Sequence, residues 1–309
     1  YSNSEGIGNT AIGSKSLFAN TTGSRNTALG EKSMKSNISG YDNVAVGSGA
    51  LTSNTSGFYN TAQGAGALYR NTDGKNNSAI GTSALTYNTS GNNNTAQGIN
   101  ALFANTTGFS NVGIGSDALN KNTTRSNLVA IGDSALYYNG YGSTNASEGV
   151  NNTAIGSKSL LANTTGSRNT ALGYKSMPSN TTGYDNVAVG SGALFSNVSG
   201  YSNTASGASA MLSNISGSGN TAHGINALAY NTTGDGNTAQ GSNALSSNTN
   251  GKYNNALGIN AMEQNTSGHD NIGIGALTLS DNISGSFNTV VGNYSDGSTA
   301  GNLDNVTIM

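Results

Sequence analysis

A chain of 309 residues could bury a sizeable core, but only 34% of it is apolar, Gly supplies 45 residues and Trp is absent, so an ordinary globular interior is not expected. With no Cys there can be neither a disulfide framework nor a thiolate zinc site. A net charge of -2, from 12 basic and 14 acidic residues scattered singly, provides no basic stripe for nucleic acid and no polybasic patch for a membrane surface.

One Pro and 8% charged residues do not match the composition of disorder either, and the chain is strictly periodic, which disordered segments are not. From the start, Asn3-Ser4-Glu5-Gly6 reads as the tail of a repeat whose beginning is missing, so a longer parent protein is expected. The phrase Asn9-Thr10-Ala11-Ile12-Gly13 then returns as Asn26-Thr27-Ala28-Leu29-Gly30, and its closing Gly recurs every 17 residues from Gly13 to Gly132. The next such Gly, Gly156, lies 24 residues on, which places seven extra residues near Tyr137-Tyr138-Asn139-Gly140. The period resumes and runs to Gly292, and residues 152–197 nearly repeat residues 9–54 at an offset of 143, the mark of a duplicated block. The expected organisation is a first repeat block over 1–136, an inserted loop over 137–149 that bulges without ending the repeat, a second block over 150–292, and an irregular tail over 293–309. Within that tail, Asn305-Val306-Thr307-Ile308 reads as a new phrase starting at Asn305. No apolar run approaches the roughly 18 residues of a membrane span, so membrane insertion is not expected in this segment.

Aligned, the repeats read N-T-A-x-G-x-x-A-L-x-x-N-T-T-G-x-x, and the tolerance of each of the 17 columns is a burial map. The ninth column is always Leu or Met and forms the expected core: Leu17, Met34, Leu51, Leu68, Leu85, Leu102, Leu119, Leu136, Leu160, Met177, Leu194, Met211, Leu228, Leu245, Met262 and Leu279. Small residues in the third and eighth columns imply close backbone approach. The twelfth column is read as a buried asparagine ladder of Asn20, Asn37, Asn54, Asn71, Asn88, Asn105, Asn122, Asn163, Asn180, Asn197, Asn214, Asn231, Asn248, Asn265 and Asn282. The fifteenth column is Gly except at Arg125 and reads as a turn that needs positive φ. Pro178, in the tenth column, marks a corner where no ladder N–H is required.

Seventeen residues are too few for a helix pair and too rich in Gly and β-branched residues for a single helix, whereas the phrases suit short strands bent at Gly. The fold class is therefore all-β, a parallel β-solenoid (β-roll) of 17-residue coils stacked about 4.8 Å apart so that Leu covers Leu and Asn bonds Asn.

Candidate chemistry is sparse. Gly-rich matches to phosphate loops recur at every level without the required flanking elements, so no nucleotide or other cofactor is expected. His223 and His269 fall in different columns with no further ligand near either in sequence, so no metal site is expected. Glu31, Asp42, Asp117, Asp185 and Asp270 read as solvated corners rather than catalytic pairs, and no catalytic residue is assigned. Asn20-Thr21-Thr22 and its relatives are formal glycosylation acceptors that a buried ladder would hide. Aromatic residues share the tenth column (Phe18, Tyr69, Phe103) and the sixteenth (Tyr41, Phe58, Tyr184, Tyr201), forming a candidate contact surface for packing between levels, for a subunit contact or for glycan stacking.

Phrases such as Asn9-Thr10-Ala11-Ile12-Gly13 and Asn43-Val44-Ala45-Val46-Gly47 resemble the heads of trimeric autotransporter adhesins. The longer phrase with its Asn-Thr-Thr-Gly link is similar to arrays in tail-fibre-like surface proteins, particularly of Bacteroidetes, that often end in an endosialidase-type chaperone. The resemblance implies a homotrimeric β-roll serving as a stalk or binding head. The expected function is thus an extracellular or cell-surface adhesin rod, not an enzyme, with a host or environmental surface or a glycan as partner. A self-assembling filament and an ice- or crystal-surface-binding protein are the alternatives, the latter because Thr10, Thr27, Thr61, Thr95, Thr153 and Thr170 share the second column.

Overall fold

The computed structural model describes residues 3–145, 147–295 and 303–308. They form two compact units, Tyr1–Ser157 and Lys158–Met309. The first holds nine three-residue strands, from β1 (Thr10–Ile12) and β2 (Thr27–Leu29) to β8 (Val129–Ile131) and β9 (Thr153–Ile155). The second holds eight more of three residues, from β10 (Thr170–Leu172) and β11 (Val187–Val189) to β17 (Thr289–Val291), and the two-residue β18 (Thr307–Ile308). Within each unit successive strands pair in parallel and in register, Thr10 beside Thr27 and Thr170 beside Val187. Each unit is a stretch of β-solenoid with coils of 17 residues, and no helix occurs among the described residues.

Each strand covers columns two to four. Its central Ala, such as Ala28 or Ala188, points inward and is fully buried, while its two neighbours point out. The fifth-column Gly ends the strand at φ 125–144°, and a Cβ on Gly13 would lie 2.6 Å from the carbonyl oxygen of Gly30 in the next coil. Backbone pairing along the axis continues past the strands: Leu51 N–H donates to Ala67 O at 2.9 Å and Ala19 N–H to Lys35 O at 3.0 Å. In the tenth column, Tyr69 N–H turns back to Gly66 O of its own coil at 3.3 Å, so the column that holds Pro178 owes no donor to the next coil.

The ninth-column core has a backbone property that composition does not show. From Leu17 to Leu279 every one of these Leu and Met residues lies in the left-handed region, at φ 46–55°. For an L-residue this conformation costs about 1–2 kcal/mol, against the roughly 1.5–3 kcal/mol contributed by burying the side chain. A β-branched residue fits worst at positive φ. That accounts for a core column that accepts Leu and Met but never Ile or Val, although Ile and Val are common in the strands.

One expectation is corrected here. In the regular 17-residue coils the fifteenth-column glycines do not adopt positive φ, which falls instead in columns five, seven, nine and seventeen. They are glycines because space is lacking: a Cβ on Gly57 would overlap the Asn54 side-chain oxygen, the Gly74 carbonyl and, at 2.7 Å, the Asn71 amide.

The insertion over 137–149 lies inside the first unit, and β8 still pairs β9 in register across it, Val129 beside Thr153. It is fastened by Arg125, buried although charged, whose guanidinium donates to Ser143 O (2.8 Å), Asn145 O (3.1 Å), Glu148 O (3.2 Å) and Thr124 Oγ1 (2.8 Å). Burial lowers the arginine pKa, opposed by the charge of Glu148. Arg125 thus replaces Gly in the coil that precedes the insertion, whereas the coil that follows it keeps Gly166.

The tail also departs from expectation. Residues 296–302 and 309 of it lie outside the described residues. β18 pairs β17 with Thr307 beside Thr289, a spacing of 18, so Asn305 takes the seventeenth-column place at φ 57° rather than the first. This register sets Ile308 beside buried Val290, where the alternative would turn Thr307 inward.

Two measurements follow. In urea titrations Leu85→Met should cost less than about 1.5 kcal/mol, whereas Leu85→Val, losing a methylene and adding a branch at positive φ, should cost about 3 kcal/mol or more. Arg125→Gly, which restores the repeat consensus, should raise amide exchange within 140–149 by at least about tenfold while leaving β1 to β7 protected, since each lost charged hydrogen bond contributes about 1.5–3 kcal/mol.

Candidate functional site

The interior is built from asparagine. In the twelfth column Asn71 Nδ2 donates to Asn54 Oδ1 at 2.8 Å and to Gly74 O at 3.0 Å, and its own Oδ1 receives Asn88 Nδ2 at 2.8 Å. The same bonds run from Asn20 to Asn122 in the first unit and from Asn163 to Asn265 in the second, while Asn282 donates to Gly285 O. Asn139 extends the column into the insertion, donating to Gly149 O at 2.8 Å, and was missed from the sequence. Also missed was a second ladder in the first column: Asn43 Nδ2 donates to Gly57 O (2.8 Å) and to Asn26 Oδ1 (3.1 Å), and Asn26 Oδ1 also receives Asn43 N–H. Its signal in the sequence is a first column that is Asn in every coil of both blocks except at Leu128. Both ladders are buried, so the twelfth-column acceptor motifs keep their amides inside, each bonded twice.

Reactive side chains are scattered and paired. Arg25 binds Asp42 through two bonds of 2.7 and 2.8 Å, and Arg168 binds Asp185 through bonds of 2.6 and 2.9 Å. Hydrogen bonding by each guanidinium holds its carboxyl below the usual carboxylate range. Glu31 pairs with Lys32 and Asp270 with His269, while His223 stands exposed on a strand. Among the described residues no group of three or more His, Cys, Asp or Glu could hold a metal ion, and no helix is long and apolar enough to cross a membrane.

Two surfaces remain as candidates for contact. One is the outer face of the strands, where second and fourth columns stand side by side; Ile12 is 60% exposed and Leu29 43%. The other is the aromatic corner. Tyr41 and Phe58 stack at 4.7 Å and 5° between planes, with Tyr59 edge-on to both, and Tyr184 and Tyr201 stack at 4.9 Å and 2°. The tenth-column aromatics are not brought together in this way: Phe103 meets Tyr87 of the eleventh column at 4.9 Å, while Phe18 and Tyr69 are exposed on coils of their own. Comparison with family models, with curated proteins and with solved structures found no match for this chain.

The ladder predicts a specific response. Asn71→Ala leaves several buried polar atoms short of partners and should cost about 3 kcal/mol or more in chemical denaturation. In Asn71→Asp, burial raises the introduced carboxyl above its unfolded value of about 3.9, so the variant should be closest to wild type near pH 4 and lose stability as pH rises toward 7.

Proposed function

We propose that the chain is a segment of an extracellular structural rod or fibre, that it acts in adhesion rather than catalysis, and that three copies associate through the outer faces of their strands. The observation that carries this reading is the pair of outward columns. In the fourth column of each unit, apolar side chains such as Ile80 in the first and Leu172, Leu257 and Ile274 in the second stand exposed in file on the outer side of the strands, and removing such surface from water contributes about 25 cal/mol per Å². Gln63, Gln97, Ser206, His223 and Gln240 punctuate the same file, where copies would pair polar groups. Uniform columns without a unique reactive cluster support the non-catalytic part, and exposed aromatic corners support contact with a surface or glycan.

A second reading rests on the second column, whose outward Thr10, Thr27 and Thr61 in the first unit lie on in-register strands of the kind that match an ice or mineral lattice, as Thr170 stands outward in the second. Val44, Val112 and Asn255 interrupt it. Thermal hysteresis by the purified protein would rank this reading first.

Sedimentation at micromolar concentration should give a mass near three times 30.9 kDa. Replacing Ile114 and Ile131 by Asp should shift the protein toward monomer and lower its thermal midpoint. A stable folded monomer in the wild type would reject the trimer, and filaments seen by electron microscopy would replace it with end-to-end assembly.

A further inference from the structure

The duplication supplies two versions of one corner. At an offset of 143, Tyr41 and Phe58 correspond to Tyr184 and Tyr201, and both pairs stack along the axis. The next sixteenth-column residue differs. In the first version it is Lys75, whose Nζ lies 5.4 Å from the centre of the Phe58 ring and covers that face. In the second it is Ser218, whose hydroxyl is turned back to Ser216 O at 3.1 Å and leaves the outer face of Tyr201 open. Asn76 and Asn93 of the first version likewise correspond to Gly219 and Gly236 in the second. The backbone does not demand glycine there, because Arg25, Asp42 and Tyr59 hold the same seventeenth-column conformation at φ 53–55°. Removing those side chains opens a cleft of about 450 Å³ beside Tyr201.

The walls of this cleft define a chemistry. Tyr253 closes the far side, its ring lying over Gly236 so closely that a Cβ there would be 2.7 Å from Cδ1. A Cβ on Gly219 would meet nothing nearer than 4.0 Å, so the floor is open. Asp235 lines the cleft with its charge already compensated: its Oδ1 accepts Ser218 N–H at 3.0 Å and its Oδ2 accepts Lys252 Nζ at 2.8 Å. An unopposed charge to attract an ionic ligand is therefore missing, while carboxylate lone pairs remain to accept from hydroxyl groups. Two coil rises, roughly 10 Å, separate the Tyr201 level from Gly236.

We propose that this cleft binds a neutral oligosaccharide. A pyranose ring lies with its C–H face on the open face of Tyr201, hydroxyls donate to Asp235, and Tyr253 bounds the neighbouring sugar. The proposal deepens the adhesive reading and rests on it for its biological sense.

The test is calorimetric titration of the full chain with neutral tetrasaccharides built on glucose, galactose or N-acetylglucosamine, beside a sialylated one. At least one neutral sugar should bind, Tyr201→Ala should weaken it about tenfold, and Ser218→Lys, which places a lysine where Lys75 sits in the other version, should abolish it without lowering the thermal midpoint. Binding of the sialylated sugar alone, of none of the sugars, or of a neutral sugar equally by wild type and Ser218→Lys would overturn the proposal. Retention of the protein on mucin-coated and hydroxyapatite surfaces is read separately. Adhesion that persists in a chain binding no sugar leaves the adhesive reading standing and rejects the cleft. Sugar binding without adhesion does the reverse.

Discussion

The hub of each coil is the carbonyl of its fifteenth-column glycine. Gly57 O receives two side-chain amides, Asn54 Nδ2 at 3.0 Å from the same corner and Asn43 Nδ2 at 2.8 Å from the start of the coil, so that one oxygen closes a turn of chain. Both asparagines also donate to their counterparts in the preceding coil, at 2.8 and 3.1 Å. A buried amide is costly unless every donor and acceptor is satisfied, and here neighbouring coils satisfy one another. The 17-residue period follows from this, because a coil one residue longer or shorter would present the wrong side chain to the ladder. Glycine follows too, since a Cβ on Gly57 would collide with the Asn54 side chain and with the Gly74 carbonyl and Asn71 amide of the next coil.

The apolar core is subordinate to this polar frame. A typical coil buries one ninth-column Leu or Met and two small residues, and the large one occupies a conformation that L-residues avoid. Such strain persists where surrounding bonds over-determine the backbone. Here the bonds from Leu51 N–H to Ala67 O and from Asn54 N–H to Leu51 O clamp the ninth column from both sides. Arg125 is the exception that keeps the frame intact: it gives up the small corner residue yet retains the hub, because its own carbonyl still accepts Asn111 and Asn122 while its side chain holds the insertion.

The first, third, eighth, ninth, twelfth and fifteenth columns make up the interior, and the remaining columns form the surface. The outer strand columns carry apolar and Thr side chains in file, and the sixteenth and seventeenth columns carry rings, ion pairs and glycines. The two copies of the duplicated block differ at these corner residues, so that a ring face covered in one is open in the other, while the ladder is the same in both. The contrast between Lys75 and Ser218 is a difference in surface on an unchanged scaffold.

Period, core column and first ladder were legible in the sequence because each depends on like stacking on like, which periodicity records directly. The inserted segment was legible because the phase resumes after it at Asn152. The left-handed backbone at Leu and Met, the steric rather than torsional need for Gly57, the second Asn ladder and the shifted register at Thr307 were decided by the tertiary structure. Identity at a column says that a residue is constrained, but whether the constraint is torsion, space or a hydrogen bond depends on which atoms of the next coil lie against it. The cleft at Tyr201 was hidden for the same reason. Aromatic residues were read from the sixteenth column, but which ring faces are covered depends on the reach of Lys75 and on the way Tyr253 lies back over Gly236, and neither is a property of any one column.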